Sequence, residues 1–329
     1  MNSTPLLSVR DLSVEFLTRH GTVKAVDAVS FDLYAGETLA LVGESGSGKS
    51  ACALALMGLT TLPGRVAGGQ VRFDGQDLLA APPRVLEDLR GNRIAMVFQD
   101  PMSALNPLLT IGTQIDEVLV RHTPLTATQR RARIIELLAQ VGIPKPAERL
   151  DRLPHEFSGG QRQRILIAMA LACDPQILIA DEPTTALDVT IQAQILELLA
   201  QLKQRLGLAM LLVTHDLGVV AKVADRVAVM YAGRLVELSD ADALYAAPAH
   251  PYTAGLLRAT PRLTDTRRRM IAIDGVPPDL RHRTRHCDFA PRCPGADAAC
   301  AERPALRDVG RGRVAACVRP FTPVWTQVS

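Results

Sequence analysis

The stretch Gly43-Glu44-Ser45-Gly46-Ser47-Gly48-Lys49-Ser50, GESGSGKS, follows the apolar run Leu39-Ala40-Leu41-Val42 and precedes an apolar segment from Ser50 to Leu59. A short apolar run ending in glycine suits a buried parallel strand, and the segment behind it suits a packed helix. Strand, glycine loop, helix is the context a phosphate cradle requires. Gly43, Gly46 and Gly48 let the backbone curl so that successive N–H groups point at phosphate oxygens, where a helix N-terminus adds partial positive charge. Lys49 is expected to pair with β- and γ-phosphates, and Ser50 to offer its hydroxyl to Mg²⁺. The whole segment from Gly43 to Ala51, with Glu44, Ser45 and Ser47 between the glycines, is the expected nucleotide contact.

Two further apolar runs end in groups suited to phosphate chemistry. Ile177 to Ala180 runs into Asp181-Glu182-Pro183, which places two carboxylates at the C-terminal edge of a strand, where ligands of α/β sheets sit. Asp181 suits the Mg²⁺ shell and Glu182 suits the base that polarises an attacking water. Ala209 to Val213 delivers Thr214-His215-Asp216, and the imidazole of His215 suits a hydrogen bond to a γ-phosphate. Ile94 to Phe98 delivers Gln99, an amide able to contact Mg²⁺ or water, before a turn at Asp100-Pro101.

The order GESGSGKS, Gln99, SGGQRQR, ILIADEP, ALD and His215 resembles the ATP-binding cassette ATPase family over about the first 240 residues. The resemblance implies an α/β P-loop NTPase fold: a RecA-like parallel core, an antiparallel β part, a helical subdomain, and here a small irregular C-terminal extension. It implies that Ser158, Gly159, Gly160 and Gln161 open a helix that closes over a partner subunit's γ-phosphate, so that two ATP molecules are sandwiched head to tail. It further implies that Phe16 stacks on adenine, that Asp188 lines the dimer seam, and that Gln99 links nucleotide state to the helical subdomain. The alternating strand Leu12 to Phe16 would bury a phenylalanine for packing alone, so that role rests on the resemblance. Phe157 stands where leucine usually precedes SGGQ, which keeps an apolar anchor.

Organisation along the chain agrees with that picture. Thr126 to Val141 has helical spacing (Ile134, Ile135, Leu137, Leu138, Val141) and proline turns follow at Pro144, Pro146 and Pro154. The expected boundaries are a nucleotide-binding domain over 1–240, a helical subdomain within it at about 101–160, and an extension over 241–329. No run reaches the roughly eighteen apolar residues a spanning helix needs, and Met1 to Arg10 lacks the pattern of a secretion signal. The chain is therefore expected on the cytoplasmic face of the inner membrane as a peripheral subunit.

The formal charge is +3, yet residues 258–329 hold 14 arginines against seven acidic residues, which leaves the remainder at −4. The arginines are scattered apart from Arg267 to Arg269, and aromatic residues are few, so a solvated surface is expected rather than a nucleic-acid site. Cys52 and Cys173 fall in apolar helical stretches as small hydrophobes. Cys287, Cys293, Cys300 and Cys317 crowd a segment rich in Pro and Arg with little periodicity, which on that pattern buries little apolar area and would gain from a cross-link or metal. Their spacing matches neither paired zinc ligands nor the bacterial ferredoxin run, and leaves the metal unnamed.

The tail from about Pro248, with His250-Pro251-Tyr252-Thr253 and Arg292-Cys293-Pro294, resembles the C-terminal extension of dipeptide/oligopeptide importer ATPases. Some members hold a [4Fe-4S] cluster there, so the resemblance implies one on Cys287, Cys293, Cys300 and Cys317. It also implies the partners: a paralogous ATPase in a head-to-tail heterodimer, two transmembrane permease subunits and an extracytoplasmic substrate-binding protein. The expected activity is ATP hydrolysis driving uptake of dipeptides or oligopeptides, with nickel or another small solute as the alternative cargo. A soluble cassette ATPase of nucleic-acid or ribosome work is the rival from another class.

Overall fold

The structure is a computed structural model that describes residues 4–185, 187–260, 272–310 and 312–320. The arginine triplet Arg267 to Arg269 lies outside the described residues. The chain forms two compact units, Met1–Leu79 with Val213–Ser329, and Ala80–Leu212.

The first unit begins with β1 (Leu7–Thr18), β2 (Gly21–Leu33), β3 (Thr38–Val42), α1 (Lys49–Leu56), β4 (Gly64–Phe73) and β5 (Gln76–Asp77). Strands β2, β1, β4 and β5 lie side by side in an antiparallel sheet, with Leu7 opposite Leu33 on one side and Phe73 on the other. Alternation in β1, shifted by one residue at an irregularity between Val9 and Leu12, buries Leu7, Val9, Leu12 and Val14. Strand β3 is buried at all five positions, as a strand covered on both faces must be.

The second unit holds α2 (Pro83–Leu89), β6 (Ile94–Val97), α3 (Pro101–Ala104), α4 (Ile111–His122), α5 (Ala127–Gln140), α6 (Pro146–Arg149), α7 (Gly159–Ala170), β7 (Ile177–Asp181) and α8 (Val189–Leu206). Its last residues, to Leu212, begin β8 (Ala209–Thr214). Strand β7 pairs parallel with β6, Ile94 opposite Ile177, and has β8 on its other side. The expected helix over 126–141 is α5, started by a capping box in which Thr126 and Gln129 bond each other's backbone N–H. Ile111, Ile115 and Leu119 of α4 and Ile134, Leu137 and Leu138 of α5 bury together with Ile165 and Leu166 of α7. The Arg130 guanidinium bonds Asp116 at 2.6 Å across α4 and α5.

The chain returns to the first unit through α9 (Leu217–Val223), β9 (Arg226–Tyr231), β10 (Arg234–Asp240), α10 (Ala241–Ala246) and α11 (Pro251–Ala259), and closes with β11 (Arg307–Gly310) and β12 (Arg313–Ala315). Strand β9 pairs parallel with β3, from Leu39 opposite Arg226 to Val42 opposite Val229. A tight hairpin at Ala232 and Gly233, with φ of 50° and 78°, turns the chain into antiparallel β10. Strand β12 adds to β10, and β11 to β12. The extension is thus stitched into the sheet of the first unit, which its loop-like composition did not announce.

The expected [4Fe-4S] cluster does not hold. Cys287, Cys293, Cys300 and Cys317 share a neighbourhood, but no group of three or more His, Cys, Asp or Glu side chains among the described residues is placed to hold a metal ion. Burial raises the thiols of Cys287 and Cys317, and pushes that of Cys293 up to about 11. Cys287 and Cys293 pack instead on an apolar cluster that includes Tyr231, Leu244, Tyr252 and Phe289. The expectation treated the tail as poor in apolar area. In fact Tyr252 is fully buried and Phe289 is 3% exposed, and Phe289 meets Tyr231 and Tyr252 at ring distances of 5.3 and 5.4 Å. Aromatic packing gives the segment the apolar contacts that its composition did not suggest.

One histidine in that cluster carries a pH effect. Burial lowers His250 to about 3, and its ring Nδ1 accepts from the Tyr252 N–H at 3.1 Å, capping α11. An unfolded chain binds a proton here below the ordinary value of 6.5 and the folded chain does not, so stability present above 6.5 is lost as pH falls toward 3. Glu237 works in the opposite sense, because burial raises its carboxyl. The difference between wild type and His250→Asn isolates the histidine, since Asn keeps a capping acceptor. Denaturant melts below pH 6 should show a slope shallower in His250→Asn by up to about 1.4 kcal/mol per pH unit; equal slopes would rule the histidine out.

Candidate functional site

In the first unit the glycine loop is built against the backbone around it. Gly43 has φ of 155°, and a Cβ there would stand 2.2 Å from the Met230 carbonyl oxygen; Gly48 has φ of 100° and would meet the Ala25 carbonyl oxygen at 2.1 Å. Only glycine fits either place. Lys49 opens α1 and is 4% exposed, with its ammonium donating to the carbonyls of Gly43 at 2.8 Å and Glu44 at 3.0 Å. Ser47 Oγ is buried and, among the described residues, has no hydrogen-bond partner. A curled loop, a helix N-terminus, a buried ammonium and an orphaned buried hydroxyl make a donor set that fits a polyphosphate. Ser45 and Gly46 are exposed, while Ser50 and Ala51 lie half-buried on the first turn of α1.

Phe16, near the end of β1, is half-buried opposite Val23 and Gly64, and its ring edge fills the space a side chain at Gly64 would need. His215 stands exposed just past β8, and Asp216 behind it caps α9 by accepting from Gly218 N at 2.7 Å.

In the second unit β7 brings Asp181, 5% exposed, and Glu182 to its C-terminal edge. Glu182 has φ of 45°, a left-handed conformation that non-glycine residues seldom adopt. Its carboxylate oxygen Oε2 accepts from Gln99 Nε2 at 2.9 Å and from Thr185 Oγ1 at 2.8 Å. Gln99 and Glu182, 83 residues apart, are thus brought together. Thr185 escaped sequence reading; its only signal was the offset of three from Glu182, the reach of one turn.

Ser158 caps α7 in a reciprocal box with Gln161: the serine hydroxyl accepts from Gln161 N at 3.3 Å and Gln161 Oε1 from Ser158 N at 3.2 Å. Gly159 and Gly160 therefore open the helix without side chains, and a Cβ on Gly160 would press Ile191 at 2.7 Å. Asp188 caps α8 by accepting from Ile191 N at 2.9 Å, which accounts for an aspartate there on local grounds alone. Also missed were two residues of the extension, Tyr252 and Arg292, which bond Glu44 inside the glycine loop.

Among the described residues no helix is long and apolar enough to cross a membrane. The family described as ABC transporter matches residues 26–185, and that described as oligopeptide/dipeptide transporter, C-terminal region, matches residues 236–300. The chain is 52% identical to the dipeptide transport ATP-binding protein DppD of Bacillus subtilis, over 90% of this chain and 88% of that one. It is 49% identical to the oligopeptide transport ATP-binding protein OppD of Salmonella typhimurium, over 96% of this chain and 94% of the relative. Among solved structures, the dimeric post-hydrolysis state of the ATP-binding cassette MJ0796 bound to ADP and Pi matches with a TM-score of 0.65 and 27% identity, covering 71% of this chain and 98% of that one.

Proposed function

We propose, on the premise that the chain belongs to the ABC transporter family and to its oligopeptide/dipeptide branch, that it is the ATP-hydrolysing subunit of a peptide importer. The observation that carries the hydrolytic reading is the Glu182 carboxylate, held by Gln99 and Thr185 at the end of β7 beside a buried Asp181. ATP is the substrate of Gly43 to Ala51, with Phe16 as the adenine platform. Lys49 and the loop N–H groups neutralise and orient its phosphates. Ser50, Gln99 and Asp181 are the groups that would hold Mg²⁺, which when bound offsets charge on the β- and γ-oxygens. Glu182 takes the proton of the attacking water, and His215 steadies that water against the γ-phosphate.

Ser158 to Gln161 and Asp188 are assigned to the seam with a second cassette, a paralogue set head to tail, so each working site draws on two chains. Residues 1–240 would form the cassette, with the helical subdomain at about 101–160, and residues 241–329 its extension. Two permease subunits and an extracytoplasmic binding protein complete the assembly, with this chain at the cytoplasmic face. Affinity purification from membranes should recover two polytopic subunits, and ATP turnover of the reconstituted complex should rise several-fold with peptide-loaded binding protein. Recovery with RNA or ribosomes instead would overturn the transport reading, and stimulation by nickel but not peptide would overturn the cargo.

A further inference from the structure

The C-terminal extension reaches the glycine loop directly, through one residue. Glu44 follows Gly43, and each of its polar groups is engaged: the N–H donates to Tyr252 Oη at 2.8 Å, the carbonyl accepts from Lys49 Nζ at 3.0 Å, and the carboxylate receives the Arg292 fork. That fork is bidentate, with one terminal nitrogen on Oε2 at 2.7 Å and the other on Oε1 at 2.9 Å. The Arg292 side chain is 3% exposed and spends its remaining N–H groups on the Asp274 carbonyl at 3.0 Å, the Tyr231 hydroxyl at 3.3 Å and the Ile273 carbonyl at 3.2 Å. Its guanidinium also lies over the rings of Tyr231 and Phe289, 5.7 and 6.0 Å from their centroids.

We propose that Arg292 is a positioning residue for the nucleotide site: it neutralises Glu44 and, with Tyr252, holds the glycine loop in its receptive curl, so that the extension sets affinity for the nucleoside triphosphate. Two physical effects act together. A serine- and glycine-rich loop must otherwise lose backbone freedom at each residue when it closes on phosphates, and a loop ordered beforehand avoids much of that cost on binding. An unpaired Glu44 carboxylate within the loop would also repel a polyanion, which the guanidinium prevents. Net stability is a poor account of the pair, because buried ion pairs contribute little beyond what apolar packing would.

The proposal rests on the loop being the ATP site, and Lys49→Ala tests that premise separately. Binding of a fluorescent ATP analogue to the full chain is the primary readout, with thermal melts alongside. Arg292→Ala should raise Kd about tenfold, and adding Glu44→Gln should recover part of that loss by removing the exposed charge. Arg292→Lys, which keeps the charge and loses the fork, should fall between, and serves where the alanine variant does not fold. In the assembled complex KM for ATP should rise with kcat within about twofold. If Lys49→Ala abolishes binding while Arg292→Ala and Arg292→Lys leave Kd within about twofold, the positioning role is wrong and the site stands. A double variant weaker than Arg292→Ala alone would equally overturn it. Binding unaffected by Lys49→Ala would bring down the site reading itself.

Discussion

Glu182→Gln should keep ATP bound at close to the wild-type level while turnover falls by about 10²–10⁴-fold, the range a positioned general base contributes. Gln99 and Thr185 both donate to Oε2 of Glu182, at 2.9 and 2.8 Å, and fix the plane of the carboxylate. A glutamine can present its amide oxygen to the same two donors, so the loop after β7 keeps its shape and only the basicity is lost. The backbone of Glu182, at φ 45°, costs on the order of 1–2 kcal/mol relative to an ordinary conformation, and such conformations persist where the surrounding structure fixes them for function. Thr185→Val should act in the same direction more weakly, by releasing one of the two donors. Steady-state phosphate release beside nucleotide binding reads both quantities, and near-normal release from Glu182→Gln would remove the residue from the base role.

What could be read from the sequence, and what could not, follows the range of the forces involved. Leu39 to Val42 and Ile177 to Ala180 declare buried strands because every position must be apolar when both faces are covered, and both are strands buried throughout. The glycine loop was legible because its conformation leaves no other residue possible at Gly43 and Gly48. Helix α5 was legible from its spacing and is confirmed by the Thr126–Gln129 box. The tail failed for the converse reason. Tyr231, Tyr252 and Phe289 lie apart in sequence and converge only through the fold, so composition alone makes the segment look short of apolar area. Arg292 and Glu44 are 248 residues apart, and no local pattern marks either as the other's partner. Ser158 and Asp188 show the remaining ambiguity: each caps its own helix, so local chemistry alone would select the same residues that the family resemblance assigns to a dimer seam.

Gly48→Ala should raise the Kd for ATP at least about 100-fold, the scale on which a displacement near 1 Å degrades a positioned site, whereas Gly46→Ala should change it by less than about tenfold. Both glycines sit at positive φ, 100° and 78°, so both substitutions carry backbone strain of about 1–2 kcal/mol. They differ in what a methyl group meets. Among the described residues nothing lies within 4 Å of a methyl group at Gly46, while at Gly48 the new carbon would stand 2.1 Å from the Ala25 carbonyl oxygen. The obstacle is the backbone of Ala25 in β2, and it cannot swing aside as a flexible side chain could. Gly48 is also the N-cap of α1, so any shift that relieves the overlap moves the helix end and the Lys49 ammonium with it. Circular dichroism separates this from unfolding, because the packing of β3 and β9 does not depend on the methyl. Equal losses from the two alanines would mean that strain alone sets the effect, and that the strands behind the loop do not fix its position.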